Sequence, residues 1–221
     1  MNKQFYKDSL KMLFPIILQN IFAAIMGSVD VIMLNSVGQD AIAAGSLATQ
    51  YSGLVFMFYS GISSGSILLA AQYFGKKDFK ALEAIEGIAL KCSLAVAVAF
   101  SVGASLFPEK LMCVYTADPV LISEGAEYLR IIWVFYLLWA VSNTYFSMLR
   151  SANHVSVATF FNGVGFFLNI ILNAVFIFGF FGIEKMGIRG VALATCISQA
   201  VCVAGCFIVS ARSKDIKLKF S

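Results

Sequence analysis

The sequence predicts an all-α integral membrane protein that folds as a bundle of six transmembrane helices. Of its 221 residues, 60% are hydrophobic and only 13% are charged, and the mean hydropathy is +0.85. About a quarter of the residues in a soluble domain are charged. The lower fraction here indicates that much of the protein surface contacts lipid rather than water. None of the apolar stretches alternates with the two-residue period of a membrane strand. Helices are therefore the expected element.

Six apolar stretches are long enough to cross a membrane one after another. A helix needs ~20 apolar residues to span ~30 Å of hydrocarbon while its backbone satisfies its own hydrogen bonds. We expect residues 1–211 to form one six-helix lobe and the basic residues 212–221 to leave the membrane as a cytoplasmic connector. The predicted spans lie near residues 12–36, 45–72, 85–107, 129–149, 157–182 and 188–211.

The connection 108–128 is longer than the others and is expected to hold a short interfacial helix that leads into the fourth span. Asp118 followed by Pro119 is a typical helix start. The carboxylate caps the first backbone N–H groups, and proline lacks an N–H that would otherwise be unpaired.

Small residues four positions apart mark places where helices are expected to pack closely, because lipid supplies no hydrophobic drive for association and backbones must approach instead. The pairs are Gly61 with Gly65, Gly45 with Thr49, and Gly190 with Ala194.

The distribution of basic residues predicts the orientation of the bundle. With six crossings, twelve of the 16 Lys and Arg residues lie on the side of the two termini and four lie on the other side. Cytoplasmic loops carry the excess of positive charge. We therefore expect both termini to be cytoplasmic in a multi-pass protein of the cell (inner) membrane. The net charge of +4 is explained by this topology, and no basic groove for nucleic acid is evident.

Asp30 is the one acid expected well inside a span. The other eleven are expected in loops or at span ends, and Glu86, at the start of the third span, is the nearest to being inside one. A charge inside a membrane costs a few kcal/mol and marks a functional site by default. At 100° per residue, Gln19, Met26 and Asp30 fall on one side of the first helix. Pro15 removes a backbone hydrogen bond near the start of that helix and permits a bend.

Amide side chains in later spans are the expected partners of Asp30. Asn162, Asn169 and Asn173 lie within an arc of about 40° on the fifth span, and Asn143 adds a fourth amide on the fourth span. A carboxylate among amide oxygens can bind a small hard cation or hold a proton, so the residues indicate coupling to Na+ or H+. The alternative is that these side chains only bridge helices, at ~0.6 kcal/mol per hydrogen bond.

At these residues the chain resembles the amino-terminal half of the multidrug and toxic compound extrusion (MATE) family. The resemblance covers essentially the whole chain as many weak matches in a fixed order. The matching segments are FPIILQNIFAAIMGSVDVIML, VGQDAIAAGSLATQ, GSILLAAQYFGKKD, the long segment from YLRIIWVFYLL to NAVFIFGF, and GIEKMGIRGVALATCISQ.

The resemblance implies one lobe of a twelve-helix exporter of organic cations or amphiphilic drugs, coupled to inward movement of Na+ or H+. It implies cation coupling at Asp30, a shared cavity for Asn143 and Asn169, and a bend at Pro15 linked to the transport cycle. We expect Asn143, Asn169 and Asn173 to supply oxygens for cation coupling at Asp30. The candidate Na+ site consists of Asp30, Asn169 and Asn173. Gln19, Met26 and Asn162 are expected to line the substrate cavity.

The chain also departs from the family pattern. Some members carry an acid at the position of Asn173 and an amide at that of Phe146. The family has a second lobe, so we expect the chain to be a fragment, a truncated gene product, or a half-transporter that pairs with another half.

Two functions other than export are compatible with a bundle of this kind. A lipid-linked saccharide flippase of the same superfamily, which would need more cations in its cleft, and a non-transport membrane scaffold are the alternatives. An intramembrane enzyme is disfavoured, because the lone His154 and the five cysteines show no metal-ligand spacing. No cofactor is expected.

Overall fold

Seven α-helices make up the described part of the computed structural model, residues 3–152 and 154–212. Side chains are described for these residues except 3–9, 11, 12, 23, 181 and 212. Beyond the backbone of Arg212, the predicted connector 212–221 lies outside the described residues. The helices are α1 (Lys3–Leu34), α2 (Gln39–Gly75), α3 (Phe79–Leu106), α4 (Pro108–Tyr115), α5 (Pro119–Ser151), α6 (Val155–Phe178) and α7 (Gly187–Arg212), with a 3-10 turn at Phe180–Gly182 between α6 and α7.

The six predicted spans are confirmed as α1, α2, α3, α5, α6 and α7, each long and apolar enough to cross a membrane. Most helices extend beyond the predicted apolar stretches; α5 begins ten residues before the predicted start at residue 129. At 1.5 Å per residue, the 37 residues of α2 reach about 55 Å. Since this exceeds the hydrocarbon thickness, α2 must tilt or extend into the interface.

Capping residues fix where the helices begin. The Asp78 carboxylate accepts a hydrogen bond from the Ala81 N–H at the start of α3, and the Asp118 carboxylate accepts one from Val120 N–H at 2.8 Å. The predicted helix start at Asp118 is thus confirmed. It opens α5 itself, however, and the short helix of this connection is α4, which lies ahead of it rather than after it.

The helices alternate in direction, so the bundle has two distinct ends. We call the end with the turns 76–78 and 152–154 the basic end, because Lys76, Lys77 and Arg150 lie at it. The opposite end, with the connections 35–38, 107–118 and 179–186, is the loop end.

α5 occupies the centre of the bundle, and α1 lies at its edge. α5 packs against α2, α3, α4, α6 and α7, whereas α1 packs mainly against α6 and only slightly against α2 and α7. A large buried cluster lies around α2 and α5, and a smaller one at the basic end joins α3, α5 and α7.

Close packing at small residues is confirmed at two of the three predicted places. A Cβ on Gly45 would lie 2.9 Å from the Leu34 side chain, and one on Gly190 would lie 2.8 Å from Phe176 Cβ. The prediction is wrong for Gly61 and Gly65, which are exposed with no atom within 4 Å of an added Cβ. The core-facing side of α2 is instead formed by Tyr59, Ser66 and the other buried residues; small residues permit close approach but do not cause it.

Glu86 also departs from the expectation that it lies at the edge of the third span. It lies inside α3 and is 2% exposed. The reason is the Asp78 cap, which starts α3 six residues before the predicted apolar stretch. Glu86 therefore lies seven residues inside the helix rather than at its start. There α5 and α7 cover it.

Candidate functional site

Asp30 lies four residues before the loop end of α1 and faces α6. Its side chain is half-buried, and its Oδ1 accepts a hydrogen bond of 2.6 Å from Asn173 Nδ2. Neither salt bridge in the described residues involves Asp30. The carboxylate is therefore turned away from lipid and is held by an amide rather than by a cation.

Two amides and a hydroxyl continue inward from Asp30. Asn173 Nδ2 also donates to Asn169 Oδ1 at 3.1 Å, and Asn169 Nδ2 donates to Thr195 Oγ1 on α7 at 3.2 Å. Asn169 and Asn173 are fully buried, as their shared arc predicts. The Asn173 Oδ1 atom is buried without a hydrogen-bond partner in the described residues. A buried acceptor without a donor is costly, so this oxygen is an available ligand.

A small cavity of about 130 Å³ borders Asp30. Thr49 of α2, Tyr128 of α5 and Val191 of α7 contribute to its wall. This volume exceeds that of a water molecule, so a hydrated ion or a few waters fit beside the carboxylate. Tyr128, which lines this cavity together with Asp30, was not among the predicted site residues.

A second cavity of about 180 Å³ lies between α1, α5, α6 and α7. All three predicted cavity residues, Gln19, Met26 and Asn162, line it. Sequence reasoning missed its aromatic wall, because hydrophobicity alone does not tell a cavity-facing ring from a packed one. That wall consists of Phe22, Phe135, Trp139 and Phe166.

Thr195 connects the two features. Its side chain lines the larger cavity, and its Oγ1 accepts the hydrogen bond from Asn169. Three hydrogen bonds therefore run from the cavity wall through Asn169 and Asn173 to Asp30. Thr195 lies in the segment ALATCISQ, whose small residues indicate helix contact but not which neighbour is contacted.

Pro15 and Gln19 attach the other half of α1 to α6. Gln19 Nε2 donates to Thr159 Oγ1 at 2.6 Å, and the Thr159 hydroxyl lies 3.3 Å from the Pro15 carbonyl oxygen, to which it can donate. Arg150 of α5 donates to Gln19 Oε1 at 3.2 Å. The Thr159 hydroxyl has one proton, and the Val155 carbonyl oxygen of its own helix is nearer to it, at 3.0 Å. The firm link from α6 to this half of α1 is therefore the hydrogen bond that Thr159 accepts from Gln19.

Asn143 does not join Asp30 in this structure. Its Nδ2 donates to Ser63 Oγ of α2 at 2.7 Å, eight residues before the basic end of α5, whereas Asp30 is near the loop end. Asn162 likewise lines the larger cavity while its Nδ2 donates to the Ala158 carbonyl of its own helix. The fold thus separates the predicted amides into a pair at Asp30, Asn169 and Asn173, and two others elsewhere.

Chemistry other than ion and ligand binding has little support in residues 3–152 and 154–212. No group of three or more His, Cys, Asp or Glu side chains that would suit a metal ion occurs in these ranges. His154 is exposed immediately before α6, as the sequence predicts for a solvated loop residue.

Comparison with known proteins relates both the sequence and the fold to transporters. The family model described as MatE matches residues 15–175. The uncharacterized transporter YisQ of Bacillus subtilis (strain 168) is 24% identical over 208 residues, 94% of this chain and 45% of that protein. The probable multidrug resistance protein YoeA of the same strain is 30% identical over 187 residues, 84% of this chain and 40% of that protein.

The fold is also that of a solved structure described as MATE in the bent conformation. The TM-score is 0.86 at 19% identity, and the match covers 97% of this chain and 47% of the other. At this identity the likeness concerns the fold alone. The chain spans about half the length of the curated relatives that it matches, and its six long apolar helices are those of a multi-pass membrane protein.

Proposed function

The chain belongs to the MatE family, and we propose that it forms one lobe of a cation-coupled antiporter that exports organic cations or amphiphilic drugs. The observation that carries this proposal is a carboxylate inside a span, Asp30, held by a buried amide whose own oxygen has no partner in the described residues. Such a site changes its free energy strongly when an ion arrives. A transporter needs that property, and a scaffold does not.

The coupling ion, Na+ or H+, would bind at Asp30. Oxygens for a hard cation are available from the carboxylate, from Asn173 Oδ1 and from Asn169 Oδ1. If the ion is H+, the protonated Asp30 carboxyl has an O–H group that can donate a hydrogen bond. Asn173 Oδ1, beside it, is an available acceptor. In both cases Asp30 alternates between a charged and a neutralised state, and the small cavity beside it gives the ion room to enter.

Substrate would occupy the larger cavity. Its aromatic rings attract organic cations through their faces, and Gln19 and Asn162 add polar contacts for orientation. Its volume of about 180 Å³ is below the ~300–1,000 Å³ of pockets for drug-sized ligands. This supports a second lobe as the opposite wall of the chamber, supplied by the remainder of a longer chain or by a partner half.

The hydrogen bonds through Thr195 offer a route for coupling. When an ion takes Asp30 and Asn173 as ligands, Asn169 must adjust its bond to Thr195, and the cavity wall changes with it. Because α1 carries Asp30, Met26, Gln19 and Pro15, ion and substrate would favour different packings of this helix. A related fold solved in a bent conformation supports a helix bend around Pro15 as the form of this change.

Efflux of a fluorescent organic cation from vesicles tests the proposal. The vesicles carry the full-length protein that contains this lobe and an imposed Na+ or proton gradient. We expect Asp30→Asn to lose gradient-driven efflux, and Asn143→Ala, outside the Asp30 group, to keep most of it. If Asp30→Asn transports as well as the parent, the coupling role is wrong. Movement of lipid-linked saccharides instead of the cation would favour the flippase.

Thermal stability identifies the ion and separates transport from a scaffold. At fixed ionic strength, replacing choline by Na+ should raise the melting temperature of the parent and not that of Asp30→Asn if Na+ is the ion. A response to pH alone, lost in Asp30→Asn, would indicate H+. A change of stability in the variant with no ion-dependent signal in the parent would favour the scaffold.

A further inference from the structure

α3 and α7 both pack against α5, and near the basic end this part of the bundle contains a second acid in a span, which the proposed function does not use. The Glu86 side chain is 2% exposed, and its Oε1 is buried with no hydrogen-bond partner in the part of the chain that is described. It lies seven residues after the start of α3, about 10 Å along the helix from the 76–78 turn. Asp30, by contrast, is near the loop end.

Among the described side chains, the titratable groups near Glu86 are neutral or acidic. Tyr145 of α5 and Cys206 of α7 are both fully buried and near enough for electrostatic interaction with it. The Tyr145 hydroxyl is hydrogen-bonded to Ser210 of α7. Glu83, one turn earlier on α3, is the other nearby acid. Neither salt bridge of the described residues involves Glu86.

A charged carboxylate is unfavourable in these surroundings. An ionised group taken out of water without a cation costs several kcal/mol, and a buried oxygen without a donor adds to this cost. Protonation removes the charge and therefore lowers both costs. The packing of α3, α5 and α7 therefore selects the form with a proton bound, and this argument does not involve Asp30 or transport.

We propose that Glu86 is a second proton-binding site of the lobe, which holds a proton while α3, α5 and α7 are packed and releases it to water at the basic end when they separate. On release the O–H bond of the carboxylic acid breaks, the proton passes to a water molecule, and the carboxylate remains. Lys76 and Lys77 are exposed at the nearby turn. They lie at the same end of the bundle as the water that would hydrate the new carboxylate. Proton release and helix separation are thus linked.

Infrared spectroscopy of the full-length protein that contains this lobe, in lipid vesicles, tests the proposal. A protonated carboxylic acid has a carbonyl stretching band that a carboxylate lacks. We expect a band that is present at low pH, that disappears as the pH is raised, and that Glu86→Gln removes. Glu83→Gln, one turn away on the same helix, and Asp30→Asn should both retain it, which separates this site from the coupling site.

Two results would overturn the proposal. If no band disappears on replacing Glu86 at any pH, the side chain is ionised. If the Glu86 band stays unchanged up to alkaline pH, the proton is never exchanged. Should Glu86→Gln fold poorly, Glu86→Leu serves instead, because an apolar side chain of similar volume suits the adjoining apolar cluster.

Melting temperature gives an independent readout. The packed state binds a proton that the unfolded state releases, so the stability from Glu86 is present at low pH and is lost as the pH rises. The melting temperature of the parent should therefore fall relative to that of Glu86→Gln in alkaline buffer, whereas Glu83→Gln follows the parent. Parallel curves for the parent and Glu86→Gln would contradict the linkage.

Discussion

α1 and α5 are nearly equal in length, at 32 and 33 residues, but they are held in the bundle very differently. Among the described side chains of α1 only Leu34 is buried, whereas fourteen residues of α5 are buried. α5 touches five other helices, and α1 rests mainly on α6. Movement of α1, which carries Asp30 and Pro15, therefore breaks less buried packing than movement of α5 would. α5 serves as the fixed framework against which α1 can move.

Side-chain hydrogen bonds and an aromatic contact hold α1 against α6. Asp30 is joined to Asn173, Gln19 to Thr159, and the Phe22 ring stacks on Phe166 at a centroid distance of 5.0 Å. Hydrogen bonds between membrane helices contribute ~0.6 kcal/mol each. Interactions of this size are exchanged within a transport cycle more easily than the large buried cluster around α2 and α5 is opened.

The largest expected effect is the difference in unfolding free energy between two matched truncations, one in α5 and one in α1. Ile132 of α5 is 1% exposed, and Ile25 of α1 is 44% exposed. Ile132→Ala leaves a cavity and should lower the free energy of unfolding by about 2 kcal/mol, whereas Ile25→Ala should change it by less than about 0.5 kcal/mol. Denaturant titration in detergent micelles measures both. Equal losses would mean that α1 is as firmly packed as α5.

A smaller effect should appear when the link between Thr159 and α1 is cut. Thr159→Val removes the acceptor of the Gln19 amide, at a cost of roughly 0.6 kcal/mol. A spin label at Ile17, which is exposed on α1, should become more mobile.

Ser101→Ala is the matched control for that variant. It removes a hydroxyl-to-carbonyl hydrogen bond of 2.9 Å between α3 and Trp133 of α5, away from α1. The label at Ile17 should not respond to it. If both variants mobilise the label equally, the Thr159 link has no special role in holding α1.

The smallest effect is expected at the exposed edge of α5. Arg130 pairs with Glu109 of α4, and both side chains are at least half exposed. Surface ion pairs of this kind contribute about 0.5 kcal/mol or less. Arg130→Gln should therefore lower stability only slightly at low salt, and the difference from the parent should vanish in ~1 M salt, where charges are screened. A loss that persists in high salt would indicate packing rather than charge.

Sequence reasoning found the spans because each apolar stretch carries its own signal of length and composition. It also found Asp30 and the stripe of Asn169 and Asn173, since an acid or an amide among Phe, Ile and Leu stands out. Helical periodicity placed Gln19 and Met26 on the side of α1 that lines the larger cavity. Each of these predictions depends on residues within one helix.

The predictions that failed concerned which helices face one another. Asn143 was grouped with Asp30 but bonds Ser63 of α2. Gly61 and Gly65 were expected at a helix contact but lie on an exposed face. Thr195 and Tyr128 were missed because their importance comes only from α7 and α5 lying beside α6 and α1.

The sequence by itself determined that this is a membrane protein with six spans and where capping residues start its helices. It also determined that one acid and several amides lie in spans, where contact with lipid is unfavourable. Only the tertiary structure decided that Asp30 is reached by Asn173 and not by Asn143, that Glu86 is enclosed by α5 and α7, and that α1 is loosely held. The physical reason is that hydropathy and capping act within a helix, whereas the pairing of polar side chains depends on the rotation and depth of two helices together.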